Sequence, residues 1–358
     1  MKRALKFLLC ITLYGLCAVA YSGEVRTRII AEQLNFPWSI AELPEGGYLV
    51  TERGGELVYV AENGTKQRVE LNIPDLYAEA QAGLFEVLLS PDFSRSRELV
   101  ISYSCGTKRA NNTCVIRGNL SLQPPYSVLD TQNIFTALPK KNGAAHYGAR
   151  MTWLGDGTLL VGLGDGFVYR EQAQLLDTHL GKIVRITRSG ATPEDNPYMH
   201  TKAPQIFSYG HRNVQGLIYD KERDAIWQHE HGPRGGDEIN RIEKGANYGW
   251  PIATYGIDYT GAKVSPFVDL PGVKAPLYQW TPSLAPAGLA LYEGDLLVAH
   301  LAGKRLQRFQ LIANKWQLEG DYLKNLNQRL RAVYVGPSGR VLVLTDSKEG
   351  QLLEVIFE

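Results

Sequence analysis

Two stretches of this chain concentrate groups able to bind charge or move a proton: His211-Arg212-Asn213, and Glu230-His231-Gly232-Pro233-Arg234-Gly235-Gly236-Asp237-Glu238 followed by Asn247-Tyr248-Gly249-Trp250-Pro251. Imidazole, guanidinium, amide, carboxylate and glycine-bared main-chain carbonyls in one irregular region point to a polar ligand held together with a metal ion. Oxygen donors of this kind suit Ca²⁺. His229 and His231, two apart, raise Zn²⁺ instead, but no third nitrogen or sulfur ligand stands near them. Arg212 and Asn213 offer a charged donor and an amide to an oxyanion, or to a carboxylate or carbonyl of a bound ligand; the plainer alternative is a turn with a surface arginine.

His146 lies in the small-residue segment Asn142-Gly143-Ala144-Ala145-His146-Tyr147-Gly148-Ala149-Arg150, with Gly162-Leu163-Gly164-Asp165-Gly166 one hairpin further on. A histidine at a pocket mouth beside a carboxylate is a candidate general base, because the carboxylate fixes the tautomer and stabilises the imidazolium. Taken singly, a surface histidine and a Gly-Asp-Gly turn account for the same residues. Arg329 and Arg331, two apart, face one side of a strand, where two cations repel unless an anion lies between them. The pair predicts an anionic ligand. Neither a Gly-x-Gly-x-x-Gly nor a P-loop pattern occurs, which disfavours nicotinamide and nucleoside triphosphate cofactors.

Positioning these groups takes a rigid frame, and an internal repeat supplies one. An apolar lead, a Pro/Gly/Asp turn and an apolar strand recur at Ala41–Val50, Met151–Val161, Leu289–Val298 and Val333–Val343, with looser copies at Val87–Ile101 and Leu217–Trp227. Six hairpin units with little helical periodicity between them predict an all-β, six-bladed β-propeller of four-stranded antiparallel blades. The 338 residues after position 20 give about 56 per unit, above the ~40–50 of a bare blade, so the surplus goes to loops converging on an axial pocket. The strand-like Val25–Ile30 is expected to complete the blade of Leu352–Ile356. No linker or low-complexity stretch divides residues 21–358, which read as one domain.

Residues 1–20 differ from the rest: Lys2, Arg3 and Lys6 precede an apolar run from Phe7 to Ala20 ending in Ala18-Val19-Ala20. This is the pattern of a cleaved secretory signal and places the protein in the periplasm or outside the cell; the run falls short of the roughly 20 residues a spanning anchor needs. With 44% hydrophobic and 21% charged residues the chain is a folded globular one, not a disordered one. Without the signal, 35 basic residues face 37 acidic ones, a balance that recruits neither nucleic acid nor an anionic membrane. Cys105 and Cys114 remain as an even pair around a turn-rich segment, and in an oxidising compartment they predict a local disulfide. Nothing in the pattern demands a partner subunit, so monomer and homodimer both remain open.

At these residues the chain resembles the soluble pyrroloquinoline quinone (PQQ)-dependent aldose sugar dehydrogenases, the glucose/sorbosone dehydrogenase family. The resemblance runs from Leu34-Asn35-Phe36-Pro37-Trp38 to the C-terminus, through Gln81-Ala82-Gly83-Leu84, the His146 segment, Gly210-His211-Arg212-Asn213, Gly232–Glu238, Asn247–Pro251, Pro282-Ser283-Leu284-Ala285-Pro286 and Arg329-Leu330-Arg331. It implies a six-bladed propeller. It also implies that His146, oriented by Asp165, takes the proton of an aldose's anomeric hydroxyl while C1 delivers hydride to the quinone. Ca²⁺ on the carbonyls of Gly232 and Pro233 would polarise the quinone carbonyl. Arg212 and Asn213 would bind its oxygens, Arg329 and Arg331 its carboxylates, with Gln81 and Tyr259 as further cofactor contacts and Glu238 and Tyr248 as another calcium site. An unidentified acceptor would receive the electrons.

The chain departs from the family pattern at Leu301-Ala302, where a lysine is usual and Lys304 is the candidate replacement, at Ala332 in place of an aspartate, and at Trp280-Thr281, where the tryptophan sits one place early. Two other readings compete. A calcium-dependent propeller hydrolase such as a sugar lactonase has no need of the arginine pair, and a noncatalytic sugar-binding propeller has no need of His146 and Asp165.

Overall fold

The computed structural model describes residues 25–73 and 75–358; the expected export signal, residues 1–20, lies outside the described residues. Strands dominate. Among the described residues the helical segments are three short ones, Phe93–Ser96, Arg170–Gln174 and Lys324–Leu326.

Three four-stranded antiparallel meanders start at Gly148–Trp153, Val214–Asp220 and Pro286–Tyr292. A fourth sheet joins the chain ends, Leu330–Val335, Val341–Thr345 and Gly350–Phe357 pairing in turn and Val25–Leu34 adding at the outer edge with Val25 opposite Phe357 and Arg28 opposite Glu354. The remaining eight strands form one sheet in which the meanders starting at Pro37–Glu42 and Leu84–Leu89 meet through a two-residue parallel contact, Glu70 to Ser127 and Leu71 to Val128. Each of the six repeat copies is the first hairpin of such a meander: Ala41 faces Leu49, Val87 Ile101, Met151 Val161, Ile218 Trp227, Leu289 Val298 and Val333 Val343.

The first strands of the meanders contact one another in chain order, and Leu330–Val335 returns to Pro37–Glu42. These inner strands are close-packed. A Cβ on Gly288 would lie 2.4 Å from the Val333 nitrogen, and one on Gly216 2.6 Å from the Leu289 Cβ, so both positions need glycine. The apolar core sits between neighbouring sheets: Ile40, Val50 and Val58 pack on Leu342, Leu344 and Leu352, joining the first sheet to the last. The inner strand Pro37–Glu42 is buried on both faces, whereas outer ones such as Lys66–Leu71 and Lys315–Tyr322 are more polar and more exposed. Cys105 and Cys114 are disulfide-bonded, Cα to Cα 5.8 Å, as the even pair predicted.

Candidate active site

In an antiparallel hairpin the start of the first strand and the end of the second lie at the same end. Every site residue named from the sequence on such a hairpin occupies one of those places. His146, Arg212, Ala285 and Arg329 lie just before inner strands, and Asp165, Gly232 and Leu301 just after second strands. They converge on a cavity of about 280 Å³ walled by Trp38, Phe85 and Tyr147 and reached by Gln81, His146, Arg212, Asn213, Gly232, Pro233, Tyr259, Arg329 and Arg331.

His146 Nδ1 lies 2.7 Å from Asp165 Oδ1, the ring 6% exposed and the carboxylate fully buried. With Asp165 ionised, Nδ1 carries the proton and Nε2 is the free base. The pair is tightly framed. Asp165 Oδ1 also accepts the Phe167 N–H at 2.8 Å, Oδ2 accepts the Trp250 indole N–H at 2.8 Å, and the Phe167 ring stands edge-on to the imidazole at 5.1 Å. Burial holds His146 below the usual imidazole range, the Arg212 and Lys141 charges adding to it and Asp165 opposing. Burial alone would raise Asp165, but the His146 hydrogen bond and charge, Arg212 and the Phe167 amide outweigh it and hold the carboxyl below its usual range.

Arg212 Nη1 donates to the carbonyls of His231 at 2.9 Å and Gly232 at 2.8 Å, which fixes the guanidinium over the glycine-rich loop. Asn213 Oδ1 accepts the Gly148 N–H at 3.2 Å, tying the Arg212 segment to the His146 segment. Gln81 Oε1 accepts the His146 main-chain N–H at 3.0 Å, so this side chain holds the base as well as lining the cavity. Tyr259, 56% exposed, stands at the mouth 6.3 Å from Phe167.

Arg329 and Arg331 do face one anion, and it belongs to the protein: Asp346 Oδ2 lies 2.8 Å from Arg329 Nη2 and 3.4 Å from Arg331 Nη2, with Arg53 Nη1 4.0 Å from Oδ1. Three guanidinium groups against one carboxylate leave the wall cationic. Arg331 Nε is buried without a hydrogen-bond acceptor among the described residues, and burial lowers its guanidinium to about 10. Glu238 and Tyr248 stand apart from the cavity. Glu238 is directly opposite Glu230 on the neighbouring strand, both buried, and Tyr248 stacks on His211 at 4.8 Å with its hydroxyl donating to the Arg241 carbonyl at 2.6 Å. Lys304 lies outside the cavity, donating to Asn327 Oδ1 at 3.0 Å, while Leu301 lines it. Sequence reasoning missed Arg53, Asp346 and the role of Trp250. Their chain separation from their partners left no local pattern to find.

Fold and site define a β-propeller enzyme, with a buried imidazole–carboxylate pair facing a cationic axial cavity. Residues 34–354 match the Glucose / Sorbosone dehydrogenase family, and the chain belongs to it. The aldose sugar dehydrogenase YliI of Escherichia coli (strain K12) is 37% identical over 94% of both chains. The crystal structure of the soluble aldose sugar dehydrogenase of E. coli in the apo-form superposes with a TM-score of 0.89 at 37% identity, covering 94% of this chain and all of the other. The PQQ-bound aldose sugar dehydrogenase of Streptomyces coelicolor gives 0.80 at 28% identity over 94% of this chain and 99% of that one.

Proposed function

We propose that this protein is a quinoprotein that oxidises aldoses at C1 to lactones with PQQ and Ca²⁺, passing the electrons to a separate acceptor. The observation that carries the reading is the His146–Asp165 pair, 2.7 Å apart and buried beside the arginines of one cavity. PQQ, a flat tricarboxylate, fits the residues present: Arg53, Arg329 and Arg331 outnumber Asp346, a buried Arg331 nitrogen lacks an acceptor, and Trp38, Phe85 and Tyr147 give apolar walls. Bound there, the quinone would supply the two-electron sink, and Ca²⁺ held by the carbonyls of Pro233 and of Gly232, which also accepts from Arg212 Nη1, would supply Lewis-acid polarisation. His146 Nε2 removes the anomeric hydroxyl proton, Asp165 stabilises the imidazolium, and Arg212 and Asn213 stabilise developing negative charge. Glu230 and Glu238 form a buried carboxylate pair of the kind a second Ca²⁺ neutralises.

In this reading the eight-stranded sheet is two blades, giving six around the axis, supported by the six inner hairpins and their cyclic contacts. Export to the periplasm is part of the proposal and rests on residues 1–20. The test is dye reduction by the purified mature protein with several aldoses, omitting PQQ and Ca²⁺ in turn. Activity that requires both establishes the reading. Silence, with no PQQ binding by absorbance titration, moves it to the lactonase or sugar-binding alternatives.

A further inference from the structure

We propose that Trp250 is a positioning residue for the catalytic base: its indole N–H fixes the Asp165 carboxylate and limits how much negative charge reaches His146. This inference rests on His146 being the base. Asp165 has two oxygens in a fully buried site, and each is assigned. Oδ1 faces His146 Nδ1 at 2.7 Å and the Phe167 N–H at 2.8 Å, and Oδ2 takes the Trp250 Nε1–H at 2.8 Å. Without that last bond Oδ2 has no hydrogen-bond donor among the described residues, and the carboxylate loses the contact that sets its rotation about Cβ–Cγ. The same indole ring carries the Arg212 guanidinium 5.2 Å from its centre, so one side chain braces both the base and the cation meant to receive negative charge.

Trp250 itself is fixed. It is 6% exposed, its N–H donates to Asp165, and its carbonyl accepts Gln174 Nε2 at 2.7 Å. The charged and titratable groups acting on His146 are Asp165, Arg212, Lys141 and His231. Of these, Asp165 alone raises its proton affinity. An indole bond to Asp165 stabilises the ionised carboxylate and so weakens its pull on the imidazolium. Removing the bond therefore shifts His146 toward higher proton affinity while leaving the carboxylate free to turn.

The test uses Trp250→Phe, which keeps an aromatic face for Arg212 and deletes the donor, and a site-specific replacement of Trp250 by 3-benzothienylalanine, which exchanges N–H for sulfur at nearly unchanged shape and keeps the test open if Trp250→Phe does not fold. In apo protein, ¹⁵N NMR titration of the His146 ring is expected to show an upward pKa shift in either variant. In holoenzyme, kcat is expected to fall about ten-fold, the low end for a lost hydrogen bond to an ionised group, with KM for the sugar within about two-fold. The acid limb of kcat against pH should move up. An unchanged His146 titration together with a superimposable pH profile overturns the proposal and leaves Trp250 a packing residue. Failure of the quinoprotein reading would show separately, as wild-type protein without PQQ-dependent turnover.

Discussion

Asp237 accepts the Gly232 main-chain N–H on Oδ1 at 2.8 Å while its Oδ2 takes the N–H groups of Leu284 at 2.8 Å and Ala285 at 3.0 Å. One carboxylate thus staples the loop carrying the Gly232 and Pro233 carbonyls to the loop before the next inner strand. Asp237→Ala strands the Gly232 and Leu284 amides and leaves Ala285 only its 3.3 Å contact to Ser283 Oγ, and at about 1 kcal/mol or more each the loss is roughly 2–3 kcal/mol of stability. Because Gly232 also receives Arg212, PQQ affinity should fall with it. Thermal melts and absorbance titration of the variant check both; intact PQQ affinity would mean that the staple does not support the cofactor loop.

His146 is the expected base, and its environment sets a pH profile. Burial holds it below 6.5, so the ring is unprotonated through neutral pH and kcat should be flat there, falling only on the acid side of that value. His146→Ala should lower kcat by about 10²–10⁴-fold, the usual contribution of general-base catalysis, with PQQ affinity little changed. Steady-state kinetics beside a binding titration separate the two effects, and retained turnover would remove the assignment.

Much of this was legible in the sequence, for physical reasons that also mark the limit. The inner hairpins repeat because each must present an apolar strand to both neighbours, so Met151–Val161 and Leu289–Val298 look alike. His146, Arg212 and Gly232 stand out because irregular polar segments punctuate that pattern. The partners of these groups did not stand out. Arg53 and Asp346 meet across the joint between first and last sheets, and Trp250 reaches Asp165 from 85 residues away. The anion expected between Arg329 and Arg331 was read as a ligand alone, whereas Asp346 already holds that place in part.

Glu230 and Glu238 face each other on adjacent strands, and burial followed by repulsion from Glu230 raises Glu238 well above the usual carboxylate range. A cation there would be stabilising. With Ca²⁺ at about 100 times its Kd the gain is about 2.7 kcal/mol. Chelation should therefore lower Tm by roughly 4 °C for a chain of this size. In protein without PQQ, Glu238→Gln should reduce the dependence on chelator to what the Gly232–Pro233 site contributes; a melt indifferent to chelator in the wild type would dispose of calcium at this pair.

Acid should destabilise the fold steeply. Burial lowers His179 to about 4 and His229 and His300 to about 3, against 6.5 for an exposed ring. Between about pH 6 and pH 4.5 the unfolded chain binds these three protons and the folded chain does not. The three rings therefore make stability rise with pH across that window and fall as pH falls, while the carboxyls that burial raises, Glu86, Asp237 and Glu238, act in the opposite sense. Each ring contributes about 1.4 kcal/mol per pH unit, giving on the order of 4 together. Denaturant melts across the window measure the slope, and His300→Phe should reduce it by one ring's share.

Arg150 touches all six inner strands. From its own, Gly148–Trp153, it donates to Gln215 O at 2.9 Å, Ala287 O at 2.7 Å and Arg331 O at 3.3 Å, pairs with Glu86 Oε1 at 3.3 Å, and packs 3.9 Å from the centre of the Trp38 ring. It lines a second cavity of about 270 Å³, while its partners Trp38, Gln215 and Arg331 line the active-site cavity. Burial raises Glu86 and lowers Arg150, so each charge depends on the other for compensation. Arg150→Met leaves the largely buried Glu86 carboxylate without its cation and with only the Met151 N–H, at about 3 kcal/mol, the low end for a broken buried pair. Adding Glu86→Gln removes that charge and should restore part of the loss, whereas the carbonyls of Gln215, Ala287 and Arg331 stay without their donor in both variants. Urea melts of the single and double variants test this: a double variant no more stable than Arg150→Met would show that the carbonyl bonds, and not the ion pair, carry what Arg150 contributes to joining the inner strands.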